Sequence, residues 1–169
     1  MEERNSRDLK TLRLVNGAAI AAAYVVLTVL AASVNLASGA IQVRFSEALT
    51  VLPFFTPAAV PGLAVGCLLS NILTGCALPD IIFGTLATLL GALGTRMLKG
   101  HRFLCTLPPV IANTLIVPFV LTYAYHIPGG IPYLMLTVGI GEVIACMVLG
   151  QILLTAFMPL AAGIFRSAK

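Results

Sequence analysis

Charge is what this sequence has least of. Only 9% of its 169 residues are Asp, Glu, Lys or Arg, against about a quarter in an ordinary soluble domain. So few charges cannot cover a water-facing surface, which excludes a soluble enzyme, a nucleic-acid binder and a disordered chain. Tryptophan is absent and histidine occurs twice, so any interfacial aromatic belt falls to Tyr and Phe. There is no His pair for zinc, no HExxH, no GxSxG and no phosphate-binding Walker motif, so the chain does not hydrolyse ATP and shows no nucleophile–base pair for intramembrane catalysis. The four cysteines (Cys67, Cys76, Cys105, Cys146) lie in apolar stretches without metal-ligand spacing. They read as small packing residues rather than as disulfides or a metal site, and no cofactor is expected.

Apolar residues fill the space that charge leaves. The AVILMFWYC fraction is 59% and the mean hydropathy is +1.04. An integral membrane protein is what remains, and the length suits one compact transmembrane domain of several spans. The pI of about 9.1 reflects where the cations sit. Nine of the ten fall in three clusters: Arg4, Arg7, Lys10 and Arg13; Arg96, Lys99 and Arg102; Arg166 and Lys169. Short basic clusters beside apolar stretches mark cytoplasmic ends.

Three cytoplasmic clusters require an even number of crossings between each pair. Residues 14–95 contain only Arg44, Glu47 and Asp80 as charges, and residues 103–165 only Glu142. At about 20 residues per spanning helix, four helices fit the first interval and two the second. The expectation is an all-α, six-transmembrane-helix bundle with both termini cytoplasmic. A basic N-terminus occupies residues 1–13, the bundle 14–160 and a cytoplasmic tail 161–169. A secretory leader is the alternative for the N-terminus. Its apolar run of about 20 residues exceeds the usual 7–15, so it reads as an uncleaved span.

Breakers place the spans. The first covers Leu14–Ser33, with an outer loop Val34–Phe45. Pro53, Pro57 and Pro61 interrupt Ser46–Ala77, and each pushes its predecessor out of the helical region. A short second span, a turn near Thr56–Pro61 and a third span to Ala77 follow, the second tilted or partly re-entrant because it is too short to cross upright. The fourth runs from Pro79 to Thr95, the fifth from Pro108 to Tyr125 and the sixth from Tyr133 to Phe157. Asp80, Gly84, Ala87, Gly91 and Gly94 form a close-packing seam on the fourth.

A charge in hydrocarbon costs several kcal/mol, so an intramembrane acid is a functional candidate by default. Glu142 lies about 15 Å below Pro132 at 1.5 Å per residue, near mid-membrane, with Gly139, Cys146 and Gly150 on its helical face. Glu47 and Asp80 open their helices at the outer mouth, where a carboxylate also complements the positive helix end. Asn71 shares a small or polar stripe with Ala64, Cys67 and Thr74. Arg44 is the one cation assigned outside, within Gln42-Val-Arg44-Phe-Ser46-Glu47. Asn113 reads as a helix–helix hydrogen bond. Three acids with amides close by suit a ligand rich in N–H donors, since a carboxylate accepts paired donors.

The run Ile41-Gln-Val-Arg-Phe-Ser-Glu-Ala-Leu-Thr-Val-Leu-Pro53 resembles the signature of the QueT family. So do Pro61-Gly-Leu-Ala-Val-Gly-Cys-Leu-Leu-Ser-Asn71, Asp80-Ile-Ile-Phe-Gly-Thr-Leu-Ala-Thr-Leu-Leu90, Pro108-Pro-Val-Ile-Ala-Asn113 and Gly141-Glu142. These are substrate-binding S components of energy-coupling-factor (ECF) transporters. The resemblance implies a six-helix S-component fold, an outward-facing pocket and a queuosine precursor, a deazaguanine-type base, as ligand. It also implies partnership with a transmembrane coupling subunit and two ATPases. The substrate-binding residues carried over are Gln42, Arg44, Ser46, Glu47, Asn71, Asp80 and Glu142. Ala18 and Ala22, one turn apart on the first span, match the family's AxxxA contact with the coupling subunit; spacing alone equally allows contact within the chain's own bundle. Three alternatives stay open: a stand-alone ion-coupled transporter using Glu142, an S component for another vitamin-like ligand, and an assembly subunit that binds no small molecule.

Overall fold

The computed structural model describes residues 2–33 and 44–164, and among these all regular structure is helical. Helix α1 (Glu2–Ser33) is followed by a 3-10 helix (Phe45–Phe54), α2 (Ala59–Leu73), α3 (Leu78–Met97), α4 (Leu107–Tyr123) and α5 (Ile131–Phe157), with a last turn at Ala161–Ile164. Gln42, most of the outer loop, Arg166 and Lys169 lie outside the described residues.

Among the described residues, four segments are long and apolar enough to cross a membrane: Leu9–Ser33, Leu78–Met97, Leu104–Tyr123 and Ile131–Phe157. The proline-broken stretch supplies two shorter apolar helices, Phe45–Phe54 and Ala59–Leu73. The breaks fall where the prolines demand. Pro53 sits within the 3-10 helix, Pro57 follows it, and Pro61 occupies the first turn of α2, where its missing N–H costs no bond.

The short segment is not α-helical. A 3-10 helix rises about 2.0 Å per residue against 1.5 Å, so its 10 residues extend roughly 20 Å rather than 15 Å. Seven of the ten are buried (Ser46, Glu47, Leu49, Thr50, Val51, Leu52 and Pro53). Neighbours on all sides explain this, because the segment packs against α1, α2, α3 and α5. It is the buried axis of the bundle. A carboxylate on it faces protein instead of lipid.

Small residues set how closely the surrounding helices approach. A Cβ on Gly62 would lie 2.6 Å from the carbonyl oxygen of Gly17, and one on Gly66 would lie 2.8 Å from Cβ of Tyr24. The face of α1 against α2 is therefore Gly17, Ala21 and Tyr24, whereas Ala18 and Ala22 are exposed on its other side. The predicted seam on α3 meets α4: a Cβ on Gly91 would come within 2.6 Å of the Pro109 Cα, and one on Gly94 within 2.3 Å of the Pro108 Cβ. Val117 and Leu121 of α4 pack on Leu134 and Val138 of α5. Within α5, Val143–Leu149 is wound as a π-helix, with Glu142 just before it and Cys146 inside it. Such wider turns concentrate at functional sites.

At the end of the bundle carrying Arg96–Arg102, Arg96 donates to the Pro53 carbonyl at 3.1 Å and Thr95 to the Cys105 carbonyl at 2.8 Å. Arg96 thereby satisfies one of the last carbonyls of the central helix, while the Phe55 and Thr56 N–H groups donate to that of Leu52. The opposite end is where α1 and α2 finish and the 3-10 helix and α3 begin.

Candidate functional site

That opposite end holds a cavity of about 370 Å³, within the range of small-molecule sites. Its polar wall comes from four elements: Arg44 and Ser46 from the start of the central helix, Asn71 and Thr74 from the end of α2, Asp80 from the first turn of α3, and Tyr125 from the loop after α4. Thr28, Ala31 and Leu121 supply apolar wall. A second recess of about 430 Å³ is lined by Phe83, Leu115, Phe119 and other apolar side chains on the outer face of α3 and α4. Tyr123 is the one lining residue with a polar side chain to orient a ligand.

Asp80 organises the first cavity. Its Oδ2 accepts from the Tyr125 hydroxyl at 2.9 Å and lies 4.0 Å from Nη2 of Arg44. The Tyr125 oxygen also accepts from the Ala77 backbone N–H at 3.1 Å, so one phenol ties the loop after α4 to the turn between α2 and α3. Burial and the neighbouring Asp80 carboxylate hold the Tyr125 hydroxyl protonated, above the ordinary tyrosine range. Asn71 Nδ2 donates to the Asp80 carbonyl at 3.4 Å. Gly84, one turn along α3, makes the room: a Cβ there would lie 2.9 Å from Asp80 Oδ1 and 3.2 Å from Asn71 Nδ2.

Two polar atoms of the residues lining this wall have no partner among the described residues. Asp80 Oδ1 and Ser46 Oγ are both buried without a hydrogen bond, on residues only 3% and 1% exposed. A buried polar group left unpaired costs about 1–3 kcal/mol. Such orphans need a reason, and a ligand donor is one.

Glu47 and Glu142 stand elsewhere. Both are buried, and neither lines the cavity. They meet in an adjoining cluster inside the bundle. Tyr24 donates to Glu47 Oε1, Asn113 Nδ2 reaches Oε2 at 3.5 Å, and the Cys146 thiol donates to Glu142 Oε2 at 3.3 Å. The Thr50 hydroxyl lies 3.6 Å from Cys146 Sγ, and Thr88 donates to Cys67 Sγ at 3.4 Å. Ligating atoms of Glu47, Glu142 and Cys146 fall within 4.8 Å of one another. Two carboxylates and a thiol can accept a divalent cation, but here each is already engaged within the bundle.

Of the residues named from sequence, the structure thus brings Arg44, Ser46, Asn71 and Asp80 to one cavity. It gathers Glu47 and Glu142 in the cluster beside it, with Asn113 bonding between helices as read. Tyr24, Tyr125, Thr88 and Cys146 belong to these networks but were not singled out for chemistry. Tyr24 had a signal: a phenol in the middle of a largely apolar span needs a partner for its hydroxyl. Cys146 had one too, lying one turn from Glu142. Tyr125 had none, because its partner Asp80 is 45 residues away.

The model of the QueT transporter family matches residues 14–159. Over 80 residues the chain is 38% identical to the protein named Queuosine precursor transporter QueT of Lactococcus lactis subsp. cremoris (strain MG1363), a match covering 47% of this chain and 47% of that relative. The matched region thus spans about half the length of the curated relative. No solved structure matches. The family match takes in the apolar helices described above, both cavity and acid cluster included, and on that ground the chain belongs to the QueT transporter family.

Proposed function

We propose that this protein is the substrate-binding S component of an ECF transporter importing a queuosine precursor, and that the cavity around Asp80 is its binding site. One observation carries the site: Asp80 Oδ1 and Ser46 Oγ are buried without a partner among the described residues, and both residues line a cavity of ligand size. A deazaguanine edge supplies what they lack. Its ring N–H and amino group are adjacent donors for a carboxylate, while Arg44 and Asn71 can donate to its carbonyl. Gln42, two residues before Arg44, is assigned to the same mouth. Glu47 and Glu142 support the site from beneath, by fixing the central helix that presents Ser46.

The two shorter helices complete six crossings, with both termini and residues 96–102 cytoplasmic in the plasma membrane of a bacterium and the cavity outside. This arrangement leaves Arg44 as the one cation on the outer side. Ala18 and Ala22, exposed on α1, form the close-approach face for the transmembrane coupling subunit, and two ATPases complete the assembly. The test is uptake of a radiolabelled 7-deazaguanine into proteoliposomes. Uptake is expected only with coupling subunit, ATPases and ATP. The buried pair Glu47 and Glu142 favours a second reading, a stand-alone proton-coupled carrier, and uptake driven by a pH gradient without those partners would establish it instead.

A further inference from the structure

Asp80 and Arg44 carry opposite charges and line the same cavity, yet they do not close on each other. Nη2 of Arg44 stops 4.0 Å from Oδ2 of Asp80, whereas a charge-assisted N–H···O bond settles at about 2.7–2.9 Å. The two side chains are 22% and 5% exposed, so little water screens their attraction. Closed into a bidentate pair, each would occupy the groups that a ligand needs from the other. What stands at Oδ2 instead is the Tyr125 hydroxyl, donating at 2.9 Å.

The phenol is placed independently of Asp80. The Ala124 N–H donates to the Val120 carbonyl at 2.8 Å and the Ile127 N–H to the Leu121 carbonyl at 3.1 Å, which pins the chain on both sides of Tyr125. His126 turns the backbone between them through a left-handed φ of 50°, and Ile127 packs on Val117, Leu121, Leu134 and Val138. The Tyr125 oxygen accepts from the Ala77 N–H at 3.1 Å, so its single proton is left for Asp80. Tyr125 is 39% exposed. Removing its hydroxyl therefore opens no core, and water can replace it at the exposed Ala77 N–H. Water can reach Oδ2 as well, but a mobile water gives way to a guanidinium that the phenol holds off.

We infer that Tyr125 is a positioning residue for the ligand: its hydroxyl keeps Asp80 from pairing with Arg44, leaving Oδ1 and the guanidinium free to meet the ligand. This rests on the queuosine-precursor reading above. The experiment is calorimetric titration of the full-length purified protein with 7-cyano-7-deazaguanine and, separately, 7-aminomethyl-7-deazaguanine, which share the guanine edge. Wild type, Tyr125→Phe, Arg44→Met and the double variant are compared. Tyr125→Phe alone weakens a compound that the wild type binds by about tenfold, the worth of one charge-assisted bond. Its ligand-free thermal midpoint stays nearly unchanged, because the new Arg44–Asp80 pair offsets the lost hydrogen bonds. Arg44→Met leaves no cation to close on Asp80, so adding Tyr125→Phe to it costs no more than about threefold. A loss below about threefold in Tyr125→Phe alone overturns the inference. So does a loss above about threefold in the Arg44→Met background, which is what a simple loop tether would give. Wild-type protein that binds neither compound overturns the precursor reading, and this inference with it.

Discussion

Tyr24→Phe separates a supporting role for Glu47 from direct ligand contact. The substitution removes one oxygen from a side chain 1% exposed and leaves its Cβ against Gly66. What is lost is the hydrogen bond to Glu47 Oε1, on a residue itself 1% exposed. Side-chain hydrogen bonds in membrane proteins average only about 0.6 kcal/mol, because the freed group finds another partner. Here the acceptor is a carboxyl group buried inside the bundle. The higher range of about 1.5–3 kcal/mol therefore applies. At roughly 2–4 °C per kcal/mol for a chain of this size, the midpoint in detergent falls by roughly 3–12 °C. Ligand affinity stays within about threefold, since Tyr24 does not line the cavity. An unchanged midpoint combined with a tenfold loss of affinity would refute the reasoning, because Glu47 would then be held by Tyr24 for the ligand.

Three further outcomes follow from the same geometry. Ala18→Trp with Ala22→Trp leaves ligand affinity of the isolated protein unchanged, because both residues are exposed, yet abolishes co-purification with the coupling subunit; loss of affinity as well would place the pair in the bundle. Gly84→Ala pushes on Asp80 Oδ1, 2.9 Å from the new methyl group, and weakens binding by about tenfold, read by titration, with the thermal midpoint nearly unchanged. A lone cysteine at position 129, in an otherwise cysteine-free chain, is labelled by an impermeant maleimide on intact cells, whereas one at position 100 is not; labelling at 100 would remove the six-crossing topology.

Helix ends were legible wherever proline, glycine or charge marks them. The sequence reading placed the first span's end at Ser33, the last at Phe157 and the break among Pro53, Pro57 and Pro61, all within a few residues of the structure. The short second segment reads as too short to cross upright, and at roughly 20 Å its 3-10 winding leaves it short of a hydrocarbon core of about 30 Å. A 3-10 helix gains length per residue, and its burial on all sides has no period for a sequence pattern to reveal. The acids were recognisable because buried charge in an apolar chain is rare. How they divide between wall and interior was not, since that depends on which helix lies opposite. Spacing likewise offered both Ala18/Ala22 and Gly17/Ala21 as contact stripes on α1. Only Gly62 and Gly66 on α2 decide which one the bundle uses.

The central claim is that Asp80, on the wall of the end cavity, receives the ligand's paired donors. Titrating 7-cyano-7-deazaguanine onto the purified protein and onto Asp80→Asn tests it directly. The substitution keeps shape and an acceptor for Tyr125 but removes the charge, costing about 1.5–3 kcal/mol of charge-assisted bonding. The wild type is expected to bind one equivalent, and Asp80→Asn to bind at least about tenfold more weakly. Equal affinity in the two proteins would contradict the account.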